Sequence, residues 1–329
     1  MDLWKQICRQ WNLGEIQMQP YPLSGGFLHK MYGLSTDTGK YAVKLLNPHI
    51  MQRPKAIDNY RRAEVLEEIL EERGIPVLTA KKLHGNKMQQ VDGQYYYLFP
   101  WYPGRVLKEE EVQKFHCGKI GETLARIHQI DYRDTASIPQ PLHIDWNFYM
   151  VQIEKKDKYL YTLLQDSLGY LTEFQKRGND ARRKLPSISA ICHNDMDCKN
   201  VLWVGKEFRI IDLECLSYAN PYLEIYEQAL CWSGFDQCSI DFERFRQVLS
   251  AYQEAGGTIP VESVILYDSN YGRLEWLSYN LKRALGIDCE PEEQKLGISE
   301  ANKTIRQLLY YRDLRRPLIH ILTEQTKHQ

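Results

Sequence analysis

The amino-acid sequence predicts a bilobal α+β protein, with an N-terminal antiparallel sheet plus one long helix and then a mainly helical C-terminal lobe. Three observations carry this. The first hundred residues alternate β-rich runs with turn residues and hold one strongly charged helical stretch. Pro100-Trp101-Tyr102-Pro103-Gly104 breaks that pattern, as clustered Pro and Gly do. Beyond it, helical periodicity dominates apart from one strand-rich patch at 189–213. A chain of 329 residues has room for two domains or lobes. The expected division is an N-terminal lobe over 1–100, a hinge at 101–104 and a C-terminal lobe over 105–329.

The elements follow in order. A strand over 16–23 leads to a turn at Ser24-Gly25-Gly26 and a second strand over 27–34. Asp37-Thr38-Gly39-Lys40 reads as a hairpin turn, since Gly tolerates positive φ there. The third strand, 41–46, puts Ala42 and Lys44 on one face and Tyr41, Val43 and Leu45 on the other. Residues 57–73 form an amphipathic helix stopped by Gly74 and Pro76. Strands over 77–83 and 94–99 complete a five-stranded sheet. The second lobe opens with a helix over 109–129, burying Val112, Phe115, Ile120, Leu124 and Ile127. One or two helices follow over 146–177. Others cover 221–233, 240–255, 261–286 and 299–316, the last stopped by Pro317. The tail at 326–329 is expected to fray.

Composition narrows the function classes. Lys and Arg total 42 against 43 Asp and Glu, without the basic excess of a nucleic-acid binder. The hydrophobic share of 43% beside 26% charged residues is that of a foldable chain, not a disordered or coiled-coil one. No apolar run approaches the roughly 20 residues that cross a bilayer. The start, MDLWKQICRQWNL, has neither a long apolar segment nor a small-residue cleavage site, so a cytoplasmic location and no membrane partner are expected. None of the eight cysteines forms a CxxC pair, which predicts reduced thiols and no zinc site.

Residues 192–212 read CHNDMDCKNVLWVGKEFRIID. Asp195 and Asn200 stand five apart, and a hairpin turning at Gly205 returns the chain to Asp212. Carboxylate and amide oxygens gathered in this way suit a hard ion such as Mg²⁺ held with phosphates. The spacing from His193 to Asn200 is that of a kinase catalytic loop, with Asn194 in place of Arg. Asp195 is then the base that orients a hydroxyl, and Asn200 and Asp212 are the metal ligands. His193 reads as a support for the loop. Asp197 and Lys199 read as solvated loop charges, with contact to substrate or phosphate as the alternative. Lys44, in the strand YAVKLL, is placed to reach α/β-phosphates. Its expected partner is Glu64 on the following helix, with Glu67 as the rival. Ser24, Gly25, Gly26 and Phe27 lie where a loop would cover phosphates.

This set resembles the aminoglycoside phosphotransferase/choline kinase family, whose members share a protein-kinase-like fold. The segment SYANPYLEI at 217–225 resembles the family's stretch after the metal Asp, with Asn220-Pro221 and Glu224 at the places of its Asp-Pro and Asp. Residues 97–104, YLFPWYPG, look like its hinge, bringing Phe99 and Trp101 to the nucleotide. The resemblance covers residues 14–285 and implies ATP and Mg²⁺ as cofactors. The N-terminal lobe then binds nucleotide, and the C-terminal lobe carries catalysis and substrate binding. The acceptor is a small-molecule hydroxyl: an aminoglycoside, choline or another amino alcohol, homoserine, or a sugar. A catalytically silent nucleotide-binding or structural relative is the competing reading. The absence of D-F-G and A-P-E motifs argues against a protein kinase. A monomer or homodimer is expected.

Trp146, Tyr149, Trp203, Trp232, Trp276 and Tyr279 offer aromatic faces to a quaternary ammonium group, or else simply form core. Glu224 or Asp236 are candidates for an amino-sugar contact. The helix bearing Arg306, Arg312, Arg315 and Arg316 reads as a solvated basic face.

Overall fold

The computed structural model describes residues 2–23, 29–134, 140–287 and 289–326. It has two compact units. One joins Met1–Val112 to Ile191–Tyr218, and the other joins Gln113–Ala190 to Ala219–Gln329. The first is α+β and the second mainly helical, the fold class that the residue pattern predicts.

The α+β unit opens with α1 (Leu3–Trp11), whose first turn is capped by Asp2 accepting from Trp4 N. The sequence reading had no helix here. The strands are β1 (Ile16–Leu23), β2 (Lys30–Thr36) and β3 (Gly39–Leu45). A short helix, α2 (Pro48–Met51), precedes α3 (Ala56–Glu72). Then come β4 (Gln89–Val91) and β5 (Gln94–Pro100). The sheet order is β1-β2-β3-β5-β4, antiparallel throughout.

Both sheet faces are covered, which is why β5 buries three consecutive residues, Tyr96, Tyr97 and Leu98. One face packs Leu34, Val43, Tyr96 and Leu98 against Ile7 and Cys8 of α1. The other gathers Leu46, Met51, Tyr60, Ala80 and Tyr97 beside α3. Tyr60, Ala63, Leu66, Glu67 and Leu70 form the buried stripe of α3.

The stretch 77–83 is not the expected strand. Val77 and Leu83 make only isolated bridges, to Ile210 and Asn86. Its amides are used elsewhere, Leu78 N on Ile210 O and Lys81 N on Leu98 O. The fifth strand is β4 instead. Past the helical segment the chain returns to this unit with a hairpin, Val201–Val204 paired to Glu207–Ile210.

The second unit holds α4 (Lys114–His128), α5 (Trp146–Glu154), α6 (Lys158–Arg182), α7 (Pro221–Cys231), α8 (Phe242–Glu254), α9 (Ser263–Ser269), α10 (Gly272–Leu285), α11 (Pro291–Asp313) and α12 (Arg315–Thr326). Residues 132–134 pair antiparallel with 188–190. The helix expected over 261–286 is divided into α9 and α10. Pro317 lies in the first turn of α12, where a missing N–H costs nothing. Close packing of α4 on α8 depends on Gly121, where a Cβ would lie 2.2 Å from Val248 O. His128, Glu224 and Tyr252 form a buried polar chain, with the imidazole between carboxylate (2.7 Å) and phenol (2.9 Å). Among the described residues, no helix is long and apolar enough to cross a membrane.

Candidate active site

Residues 193–200 form a loop held by its own side chains. His193 is fully buried. Its Nδ1 accepts from Asp195 N (3.3 Å), so the proton is on Nε2, which donates to Ile211 O (3.1 Å). The ring therefore braces the loop against the segment leading to Asp212. Asn194 has a left-handed backbone, φ 64°. Its amide donates to Cys192 O, Cys215 O and Ser217 Oγ at 2.8–3.1 Å, tying the loop to the turn beyond Asp212.

Asn200 donates through Nδ2 to Asp195 O (2.7 Å) and Asp195 Oδ2 (2.9 Å). Lys199 Nζ lies 3.1 Å from Asp195 Oδ1 and 2.5 Å from Asp197 Oδ2. Lys199 is thus ion-paired rather than simply solvated. Burial pushes the Asp197 carboxyl up to about 6 despite the nearby Lys199 charge. The hairpin register sets Val201 opposite Ile210, and Ile211 N then bonds Asn200 O (2.9 Å). That register brings the residue just before Asp212 against Asn200.

Lys44 lies on β3 opposite Tyr97 and is 6% exposed. Its ammonium pairs with Asp212 Oδ1 (2.5 Å) and with Glu214 Oε1. Glu64, the partner expected from the sequence, instead accepts from Tyr97 Oη (2.8 Å) and Met88 N (3.2 Å). Glu67, the rival, accepts from Ala80 N (2.9 Å) and pairs with buried Lys87 (3.1 Å). Both α3 carboxylates are thus taken up by the chain around β4 and β5. Lys44 meets the 212–214 turn in their place.

Glu214 and His29 were missed in the sequence. The signal for Glu214 was a second carboxylate two residues after Asp212, within one 3₁₀ turn, Leu213–Cys215. No local pattern marks His29. Its Nδ1 accepts from Asn47 N (3.0 Å), so Nε2–H donates to Tyr60 Oη at 2.7 Å, with Glu214 Oε1 at 3.7 Å. Burial, then the Lys44 charge, lower His29 to about 4, so its ring is neutral near pH 7.

Burial works against the charge on Lys44, but Glu214 and Asp212 more than offset it and its pKa is raised. Burial also works to raise Asp212. The Glu214 hydrogen bond and the Lys44 charge prevail, and the carboxyl sits below its usual range. Glu214 moves the other way, raised first by burial and then by Asp212, against the pull of Lys44.

With its amide nitrogen committed to Asp195, Asn200 keeps Oδ1 as an acceptor. Together with the Asp212 carboxylate this is an all-oxygen donor set, the kind a hard divalent cation takes. Asn200 and Asp212 therefore fit Mg²⁺ chemically. Phe99 lies opposite Ala42 and packs on the Tyr97 cluster, and Trp101 follows β5, half-buried. Ser24, Gly25, Gly26 and Phe27 lie outside the described residues.

The family model described as "Phosphotransferase enzyme family" (APH) matches residues 21–265. The chain belongs to this family. A homoserine kinase from Methylobacillus flagellatus is 28% identical over 254 residues, spanning 75% of this chain and 74% of that protein. Among solved structures, a spectinomycin phosphotransferase in complex with ADP and spectinomycin matches with a TM-score of 0.63 at 15% identity, over 98% of each chain. A choline/ethanolamine kinase family protein from Mesorhizobium loti matches with a TM-score of 0.61 at 12% identity, over 99% of this chain and 100% of that one. At these identities the likeness is one of fold, the protein-kinase-like fold of the family.

The aromatic candidates mostly serve as core in this phosphotransferase fold. Trp146, Tyr149, Trp203 and Trp232 are buried, and Trp203 packs on Phe208 with ring centroids 4.7 Å apart. Trp276, part-exposed, stacks on Tyr279. Glu224 is buried against His128, and Asp236 pairs with Arg273 at 2.7 Å. The basic helix is not purely a solvated face, since Arg315 pairs with Asp268 (3.2 Å) and Arg306 with Tyr159 Oη (2.7 Å).

Proposed function

We propose that the protein is an ATP- and Mg²⁺-dependent phosphotransferase whose acceptor is the hydroxyl of a small amino alcohol, with homoserine the first to test. One observation carries the reading. Lys44 and Asp212, 168 positions apart, form a part-buried ion pair, and in the loop that precedes Asp212 the Asn200 amide holds Asp195. A fold has no structural need to gather a lysine, a carboxylate base and an oxygen-donor pair in this way. The 28% identity to a homoserine kinase over three quarters of the chain supports the acceptor class. The burial of Trp146, Tyr149 and Trp232 weighs against a quaternary ammonium acceptor.

In this reading Asp195 accepts a hydrogen bond from the acceptor hydroxyl, orients it and takes its proton. Asn200 Nδ2 keeps the base from turning. Asn200 Oδ1 and Asp212 hold the metal, and Lys44 holds nucleotide phosphates. Bound Mg²⁺ with ATP supplies the phosphoryl group and offsets its charge. The chain at Phe99 and Trp101 meets the base of the nucleotide. Glu64 contributes through Tyr97, anchoring α3 to β5.

The test is Mg²⁺-dependent ADP release with homoserine, ethanolamine, choline, aminoglycosides, methylthioribose and simple sugars. The expected result is turnover of an amino alcohol, lowered ~10²–10⁴-fold in Asp195→Ala. ATP binding without turnover of any acceptor would replace this reading with that of a silent nucleotide binder.

A further inference from the structure

We infer that Lys199 is a further catalytic residue, donating to an oxygen of the transferring phosphoryl group while Asp195 takes the acceptor proton. The inference rests on the function proposed above. Lys199 lies in the 3₁₀ turn Cys198–Asn200, next in sequence to the proposed metal ligand. Asp197 holds it twice. Asp197 Oδ1 accepts from Lys199 N (3.0 Å) and Asp197 Oδ2 from Lys199 Nζ (2.5 Å). The Asp197 side chain is 20% exposed and that of Lys199 54% exposed, so a more buried carboxylate anchors the more exposed lysine.

The placement is specific to the base. Asp195 has Lys199 Nζ on Oδ1 (3.1 Å) and Asn200 Nδ2 on Oδ2 (2.9 Å). A hydroxyl that gives its proton to Asp195 must come within hydrogen-bond reach of those oxygens. The phosphorus it attacks is one bond further on, within reach of the same lysine. An ammonium has three N–H donors, and two are committed here, to Asp195 and Asp197. The third is available to a phosphoryl oxygen. Lys44 is engaged elsewhere, since its ammonium pairs with Asp212 and Glu214 and in the proposed reading holds nucleotide phosphates, whereas the ammonium of Lys199 is bonded to the base itself.

In the step itself the acceptor oxygen forms a bond to phosphorus. The bond from phosphorus to the bridging oxygen of the nucleotide breaks, and its electron pair leaves with the diphosphate. The acceptor proton passes to Asp195, and Lys199 stays protonated throughout. A positioned donor to charge that moves in the transition state contributes to kcat more than to substrate affinity.

The experiment uses the full chain as wild type, Lys199→Met and Lys199→Arg. It measures kcat, KM and melting temperature, and the Mg²⁺-dependent affinities for ATP and ADP by displacement of a fluorescent nucleotide. Lys199→Met is expected to lower kcat ~10²–10³-fold with acceptor KM nearly unchanged. It is also expected to weaken ATP selectively over ADP, with Lys199→Arg recovering part of both. Wild-type kcat in Lys199→Met, or equal loss of ATP and ADP affinity with a lowered melting temperature, would reduce Lys199 to a brace of the loop. If the wild type turns over no acceptor, the function proposal fails, and the ATP-against-ADP comparison still decides the role of Lys199.

Discussion

Glu67 is buried against Lys87, and burial pushes its carboxyl up to about 7 against the pull of that lysine. His29 is shifted the other way, down to about 4 by burial and then by Lys44. The two give opposite pH dependence of stability. A raised carboxyl contributes stability that is full below its unfolded value of 4.5 and is lost as pH rises through about 7. A depressed imidazole contributes stability that is full above 6.5 and is lost as pH falls through about 4. Between pH 4.5 and 6.5 the contributions oppose each other. The raised carboxyls of Asp197 and Glu214 add to the loss with rising pH, so the two residues are read against wild type. In urea unfolding, and relative to wild type, Glu67→Gln should gain stability as pH rises across this window and His29→Asn should lose it. Parallel slopes in the two variants would show that these groups do not carry the titration. Neither residue was legible as such, because both depend on partners set by the fold, Lys87 and Tyr60.

At the scale of elements, two glycines allow opposite tests of the same substitution. Gly205 turns the hairpin with φ 58° and would meet nothing within 4 Å of an added Cβ. Gly205→Ala therefore costs only backbone strain, about 1 kcal/mol. Gly121 of α4 faces Val248 O at 2.2 Å, where main chain cannot yield cheaply. Gly121→Ala should cost more, about 2–3 kcal/mol, because the α4–α8 contact must open. Equal losses in chemical denaturation would contradict this reading of the packing. The same elements show what was readable in advance. The hairpin was legible because an apolar run, a glycine and a second run are adjacent in sequence. The false strand at 77–83 was not, because Leu78 and Lys81 bond to Ile210 and Leu98, which no local pattern reveals. Helix α1 was missed because its short apolar side, Ile7 and Cys8, is completed only by β-sheet residues.

At the scale of the whole molecule, the α+β unit is assembled from two segments far apart in sequence, and Lys44 and Asp212 join them. That separation explains why Asp195, Asn200 and Asp212 were legible together while the partner of Lys44 was not. The first three lie within one loop and hairpin, whereas the Lys44 pairing spans 168 positions. It also makes stability a test of the site that needs no acceptor. A ligand held by Lys44 and by a metal on Asn200 and Asp212 binds both segments in the native state and neither in the unfolded chain. Such a ligand stabilises by about 2.7 kcal/mol at a hundred times its Kd. ATP with Mg²⁺ should therefore raise the melting temperature, and a chelator should remove most of the gain. Asp212→Asn should lose the Mg²⁺-dependent part while keeping a small shift from nucleotide alone, since Lys44 remains. An equal shift with and without Mg²⁺ would mean that Asn200 and Asp212 hold no metal. The acidic turn at 212–214 would then serve only to neutralise Lys44.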